Sequence, residues 1–365
     1  MRVRVIEDLA LVESGGVYNT MSQICPLILL EEKDVYPADI WAISGGGPDA
    51  IAYMLRKTKR LEPVWFEITP KKLFKRNLRE LVFEPIKKCR LPILGAPGIF
   101  KIDELDRIID REVDFEAIIE SPIRLWLAVA DLLSGKVLWF SNKDEGMTAE
   151  FLRNVTIGSM RMPVFFKPIR CSFRGVDYQF VDSGLSIDVP IRLAVERGFS
   201  KIIALESLPY ELPRVPPLET LGEIDVRYSQ MRHNGASDFQ FKQVARTNRN
   251  LEILEKIEGL LSQPRIPEDI REALLREHQN YSFYSKSQIS VCHLTLPANI
   301  SIFQKDRKKD YGSPTREARS ELLGAGEAAG ELILLPFLKE HGILPPSGEG
   351  EHEEFMRMLR EKGAL

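Results

Sequence analysis

One repeated local pattern constrains this chain more than any other feature. A short apolar run meets a glycine-bearing turn, and a segment with helical spacing follows. Leu9–Val12 runs into Glu13-Ser14-Gly15-Gly16 and then Val17–Glu32, and Ala38–Ile43 runs into Ser44-Gly45-Gly46-Gly47 and then Asp49–Arg56. Apolar runs without polar alternation fit strands covered on both faces, and strands alternating with helices need crossovers that lay the strands parallel. Further strands are expected at Ile123–Asp131, Lys136–Phe140 and Lys201–Leu205. Further helices are expected at Ile102–Asp110, Thr148–Thr156 and Val189–Arg197, the last closed by Gly198. Residues 171–180 read as a hairpin turning near Arg174-Gly175. The expected fold class is α/β, with three layers and a mostly parallel central sheet carrying helices on both faces.

After Leu208 the composition changes, and Pro209, Pro213, Pro216 and Pro217 form a linker-like stretch. Beyond it the spacing predicts a long helix over Gln240–Leu261 and a single strand at Ile289–Leu296. A helix over Thr315–Lys339 follows, which Pro336 should bend or stop. A lone strand cannot make a sheet. Residues 209–365 are therefore read as a mainly helical extension packed on a 1–208 core.

Composition narrows the function classes. At 365 residues the chain can bury a core without disulfides or a structural metal. Its 50 Lys+Arg against 53 Asp+Glu leave a net charge of −3, which argues against nucleic acid as the main partner. Cys25, Cys89, Cys171 and Cys292 have no CxxC spacing, and the five histidines do not complete a ligand set with them. Reduced thiols, a cytoplasmic location, no metal and no cofactor are expected. The first residues reach a glycine turn too early to hold the apolar core of a signal peptide. Apolar stretches such as Ile24–Leu30 are far shorter than the ~20 residues that span a bilayer, so any membrane contact is expected to be peripheral.

Three motifs carry chemistry. Ala42-Ile43-Ser44-Gly45-Gly46 stands where a strand should end and a helix begin. A serine on so sharp a turn presents its hydroxyl above the sheet edge, with small residues (Ala42, Gly46) on either side letting neighbouring backbone pass; this is the mechanics of a nucleophile elbow. The same residues would also serve as a plain glycine turn with Ser44 as N-cap. Ser14-Gly15-Gly16 sits at a second strand–helix turn, whose outward N–H groups and helix dipole can hold an oxyanion or simply start a helix. Val181-Asp182-Ser183-Gly184 follows the hairpin and either aims a carboxylate at a hydroxyl or makes an ordinary turn.

Taken in order, the glycine turn, the serine elbow and the Asp-x-Gly resemble the patatin-like phospholipase family. Gly158-Ser159-Met160-Arg161-Met162-Pro163-Val164-Phe165-Phe166-Lys167-Pro168 is similar to the family's segment before its aspartate, and Asp188-Val189-Pro190-Ile191 to the segment after it. The resemblance covers about residues 5–208. It implies a serine–aspartate dyad with Ser44 as nucleophile and Asp182 as general base. Gly15 and Gly16 would supply the oxyanion hole, and the substrate would be an acyl ester of a phospholipid, lysophospholipid or acylglycerol. An Asp at its usual pKa of ~3.9 is a poor base for a hydroxyl, so an apolar cleft would have to raise its basicity. No histidine precedes His233, so nothing in the α/β half could complete a conventional triad. Where the family's turn continues to a basic residue and a glycine, this chain has Val17-Tyr18-Asn19. A non-catalytic lipid-binding or regulatory relative is the alternative reading. A third is phosphate binding at the glycine turns, though no P-loop lysine follows either.

The segment Lys71–Arg90 is basic with interleaved apolar residues and could dock on anionic head groups or form a solvated helix face. Leu91–Phe100 reads as a lid or a packed connection, and Lys305–Asp310 as a surface loop. Gly324–Gly330 has the wrong spacing for a dinucleotide fingerprint and better suits close helix packing.

Overall fold

The computed structural model describes residues 4–68, 75–76, 100–101, 103–184, 189–210, 212, 217, 221–261, 267–279, 287–296 and 315–345. The strands are β1 (Val5–Glu13), β2 (Tyr36–Ile43), β3 (Lys75–Arg76), β4 (Phe100–Lys101), β5 (Arg124–Asp131), β6 (Lys136–Ser141), β7 (Ile169–Phe173), β8 (Val176–Val181), β9 (Lys201–Glu206) and β10 (Ser290–Thr295). The two-residue β3 and β4 pair only with each other. The rest form an eight-stranded sheet in the order β10-β9-β1-β2-β5-β8-β7, with β6 also pairing β5. From β10 through β5 the pairing is parallel, and β6, β8 and β7 add an antiparallel end.

Alternation explains why these runs lie in the middle of the sheet. Leu9 and Leu11 of β1 and Ile203 and Leu205 of β9 point into one core, and Ala10, Val12, Ile202 and Ala204 into the other. Apolar groups on both faces require helices on both faces. The first core is covered by α1 (Met21–Glu32), α2 (Gly46–Met54), α3 (Leu61–Glu67), α4 (Asp103–Glu112), α5 (Phe115–Glu120) and α6 (Ala149–Ser159). The second is covered by α7 (Ile191–Glu196) and the long α8 (Leu221–Leu261). Further on come α9 (Glu268–Gln279), α10 (Arg316–Ala329) and, after a π-helical stretch at Gly330–Leu334, α11 (Leu335–Glu340). The fold is thus α/β around a central sheet, with a mainly helical C-terminal region that adds β10 to the sheet edge.

Differences from the sequence reading have local causes. Val17–Glu32 is a 3-10 turn, Val17–Thr20, followed by α1, which keeps Pro26 inside it. The long helix starts at Leu221 rather than Gln240. Its inward residues there are Gln230, His233 and Ser237, which are buried but polar and so carry no hydrophobic period. Pro336 does not stop its helix. The π turn at Gly330–Leu334 lies just before it, where the missing proline N–H disturbs the usual i→i−4 ladder, and the chain stays helical to Glu340. The short α3 and α5 and the polar α9 were not expected at all. Lys71–Arg90 and Leu91–Phe100 lie outside the described residues apart from β3 and Phe100, and Lys305–Asp310 lies wholly outside them.

Small residues pack α10 against α1. A side chain at Gly326 would overlap the Ser22 carbonyl, whereas one at Gly324 would meet nothing. Gly326→Ala should therefore lower stability by about 1–3 kcal/mol. Gly324→Ala should be neutral or stabilising by up to ~1 kcal/mol through helix propensity. Denaturant midpoints of the two variants check this, and equal shifts would contradict the packing.

Candidate active site

The sheet order places the site. β1 has β2 on one side and β9 on the other, so the chain reverses its direction of travel across the sheet at β1. In open parallel sheets, ligands bind beyond the carboxyl ends of the strands at such a reversal. The turns that leave β1, β2 and β9 there carry Ser14-Gly15-Gly16, Ser44 and Ser207.

Ser44 follows β2 directly and takes φ 51°, the left-handed region. For a residue with a side chain this costs about 1–2 kcal/mol, and it turns the hydroxyl out of the sheet at the start of α2. The neighbours leave room only for glycine. A side chain at Gly46 would come within 2.9 Å of the Ser14 carbonyl oxygen and 3.0 Å of Glu13 Cβ, and one at Gly15 within 2.5 Å of Ser44 Cβ. Ala42 is fully buried within β2, in register with Glu13 and Leu127 on its neighbours.

The Gly15–Gly16 turn is held from β9. Ser207 Oγ donates to the Gly15 carbonyl. The Ser207 N–H donates to Ser14 Oγ (2.8 Å), and the Ser14 N–H to the Leu205 carbonyl (3.0 Å). Gln23 Nε2 reaches the carbonyls of Ser14 (3.2 Å) and Leu205 (3.1 Å). A trans peptide points its N–H opposite to its carbonyl. Fixing the Gly15 carbonyl on Ser207 therefore turns the Gly16 N–H to the other side of the turn.

Asp182 comes to Ser44 from the end of β8. Ser44 Oγ donates to Asp182 Oδ2 at 2.6 Å, across 138 residues of sequence. Two further bonds orient the aspartate: its own N–H donates to the Arg161 carbonyl (2.9 Å), and the Gly184 N–H donates to Oδ1 (2.7 Å). Asp182 is 7% exposed, so its carboxylate works in a largely desolvated setting. The structure thus brings Ser44, Asp182, Gly15, Gly16, Ala42 and Gly46 to one place.

Ser44 opens onto a cavity of about 80 Å3, partly continuous with solvent. Its walls are apolar: Leu61, Val64 and Trp65 of α3, Leu105, Ile108 and Ile109 of α4, and Met160, Met162 and Phe166 after α6. Asp49 is the one acid among the described residues of that lining. It is fully buried, and burial pushes its carboxyl up to about 8 against the hydrogen bonds from Trp65 and Thr20. Beneath it Glu13, also fully buried, is held well above the usual carboxylate range by burial and then by repulsion from Asp49. Burial thus favours the neutral form of both acids.

Several site residues gave no readable signal in sequence. Ser207 and Gln23 are ordinary polar residues whose role depends on which strands lie side by side. Glu206, next to Ser207, bonds His233 of α8 (2.6 Å) and His293 of β10 (2.5 Å). Burial raises the Glu206 carboxyl, but the two histidines outweigh it and bring it down to about 2. Arg319 of α10 is buried, lies over the Tyr18 ring at 4.6 Å and donates to the Trp65 carbonyl (3.1 Å). The loop position where a basic residue was missing is thus faced by a cation from far along the chain. Among the described residues no cluster of His, Cys, Asp or Glu is arranged to hold a metal ion, and no helix is long and apolar enough to cross a membrane. Burial raises the thiols of Cys25 and Cys171 to about 11 and of Cys292 to about 12, so none of the three is a ready nucleophile.

No protein-family model matches the sequence, and no curated protein matches it. Among solved structures the chain is similar to VipD from Legionella pneumophila, at 13% identity and a TM-score of 0.43, covering 92% of this chain and 67% of that one. A likeness at that level says nothing about activity.

Asp49 makes the fold sensitive to pH in a defined direction. Its folded pKa is raised, so between the unfolded value of ~4 and about 8 the native state holds a proton that the unfolded chain has lost. Stability should fall by about 1.4 kcal/mol for each pH unit in that window. Asp49→Asn keeps an acceptor for Trp65 and removes the titration. The melting temperature of the variant minus that of the wild type should then grow from pH 5 to pH 8, and a constant difference would contradict the assignment.

Proposed function

We propose that this chain is a lipid acyl hydrolase of the serine type, acting on acyl esters of phospholipids, lysophospholipids or acylglycerols. The observation that carries this reading is the 2.6 Å bond from Ser44 Oγ to Asp182 Oδ2 at the mouth of an apolar cavity. The resemblance of the three motifs to the patatin-like phospholipase family points the same way.

In this reading the acyl chain lies in the cavity and its carbonyl carbon meets Ser44 Oγ. The hydroxyl proton passes to Asp182 as the oxygen attacks, and the carbonyl oxygen becomes an oxyanion beside the N–H groups of Gly15 and Gly16. Collapse of the tetrahedral intermediate breaks the ester bond, and the leaving alcohol takes the proton from Asp182. Water then attacks the acyl-enzyme, giving its proton to Asp182, and Ser44 leaves reprotonated. The left-handed φ of Ser44 keeps its hydroxyl in attacking position, and burial of Asp49 and Glu13 disfavours a second anion beside the developing oxyanion. A second apolar cavity of about 50 Å3 shares Pro48, Leu61 and Val64 with the first and adds to its apolar lining. Location is proposed to be cytoplasmic with peripheral membrane contact. The non-catalytic, lipid-binding alternative draws on Tyr18, which is wholly buried where the family's turn carries a charge.

The decisive experiment is turnover of short-chain p-nitrophenyl esters together with fluorophosphonate labelling. Ser44→Ala should abolish both, and Asp182→Asn should lower kcat by at least ~10²-fold, while both variants keep the wild-type circular dichroism. Turnover unchanged in Ser44→Ala would remove the reading, and acyl-chain binding without Ser44-dependent turnover would favour the alternative. Ser207→Ala should lower kcat by about tenfold or more with little change in KM, because it frees the Gly15 carbonyl rather than touching the acyl chain.

A further inference from the structure

The long helix α8 carries large apolar side chains on its outward side as well as a buried inward side. Its inward side carries His233, Ser237, Val244, Thr247 and Leu251, all buried. On the outward side, Ile224, Tyr228, Met231 and Phe239 of the first half stand 48–60% exposed, and Ile253, Ile257 and Leu260 of the second half 37–57%. Between these two groups lie Lys242, Arg246 and Arg249, also exposed. With Gly235, where nothing approaches, these positions step along the chain by threes and fours: 224, 228, 231, 235, 239, 242, 246, 249, 253, 257 and 260. Steps averaging close to 3.6 keep all of them within an arc of about 80°. The stripe runs straight down a helix of 41 residues, about 60 Å long.

A single exposed apolar residue needs no explanation, but two exposed apolar groups aligned on one helix face about a basic centre mark a contact surface. We propose that the outward face of α8 docks on an anionic lipid bilayer. The charge pattern selects this occupant. Lys242 stands near the middle of α8, so pairing with the same face of a second copy, parallel or antiparallel, would set the cationic centre against its own image. Lys242 has Asp238 as a partner (2.5 Å), which leaves Arg246 and Arg249 to answer an outside anion. A nucleic acid would meet the basic centre but not the large apolar groups at both ends. A bilayer meets both: aliphatic and aromatic groups enter the acyl boundary, and the arginines reach the phosphate level. Basic side chains near an anionic leaflet contribute ~1 kcal/mol each. This surface stands apart from the Ser44 cavity and does not rest on the hydrolase reading.

The test is co-sedimentation of the full chain with vesicles of phosphatidylcholine alone or with phosphatidylserine, at low and high salt. The wild type should bind the anionic vesicles, weakly or not at all the neutral ones, and lose binding as salt rises. Two double variants, Met231→Glu with Ile257→Glu and Arg246→Glu with Arg249→Glu, should each lose about tenfold or more of the partitioning. These positions face outward, so melting temperature should be kept. Ser44→Ala should bind as the wild type does, which separates this proposal from the fate of the hydrolase reading. Equal binding to neutral and anionic vesicles, or unchanged binding by both double variants, would overturn it. A wild-type dimer in sedimentation velocity that the same substitutions dissolve would also overturn it, assigning the face to a second copy instead.

Discussion

The site depends on how closely β1 and β2 let their departing turns approach. Parallel neighbours lie side by side at a fixed spacing, so whatever follows their carboxyl ends is forced together. Here one turn presents Ser44 and the other Gly15, with no room for a side chain on the second. Gly46 meets the same limit against Glu13 and the Ser14 carbonyl. The glycines are therefore a steric condition for bringing Ser44 up against the turn that leaves β1. The left-handed backbone at Ser44 is the local strain that the packed strands sustain.

Around that contact the protein has made its acids neutral or paired. Glu13 and Asp49 are buried without a cation and their carboxyls are pushed up, whereas Glu206 is buried between two histidines and its carboxyl is brought down. The difference is one of partners rather than depth. A carboxyl that two imidazoles bond directly recovers its desolvation cost, and one facing an indole and a hydroxyl does not.

Much of this was legible in the chain, and the reasons for the rest are physical. β1, β2, β5 and β9 announced themselves because their stretches buried on both faces are mostly apolar, and the elbow did so because only glycine and alanine fit beside it. Ser207, Gln23 and Glu206 were silent, since their partners Ser14 and His293 lie on strands whose adjacency is a property of the sheet order. The first half of α8 was missed because its inward face is Gln230, His233 and Ser237, and a polar interior leaves no hydrophobic period. Pro336 did not stop its helix because a widened turn absorbed it, a remedy that depends on neighbours rather than on the sequence nearby.

The position of β10 has one more consequence. As the outermost parallel strand it covers β9, and its His293 reaches the carboxylate beside the turn that β9 feeds. A protein shortened after β9 would present that strand as a bare rim, its row of unmet amides open to pairing with any passing polypeptide. Glu206 would at the same time lose both imidazoles that hold its carboxylate. Clumping, rather than a tidy smaller catalyst, is what trimming the chain there would yield.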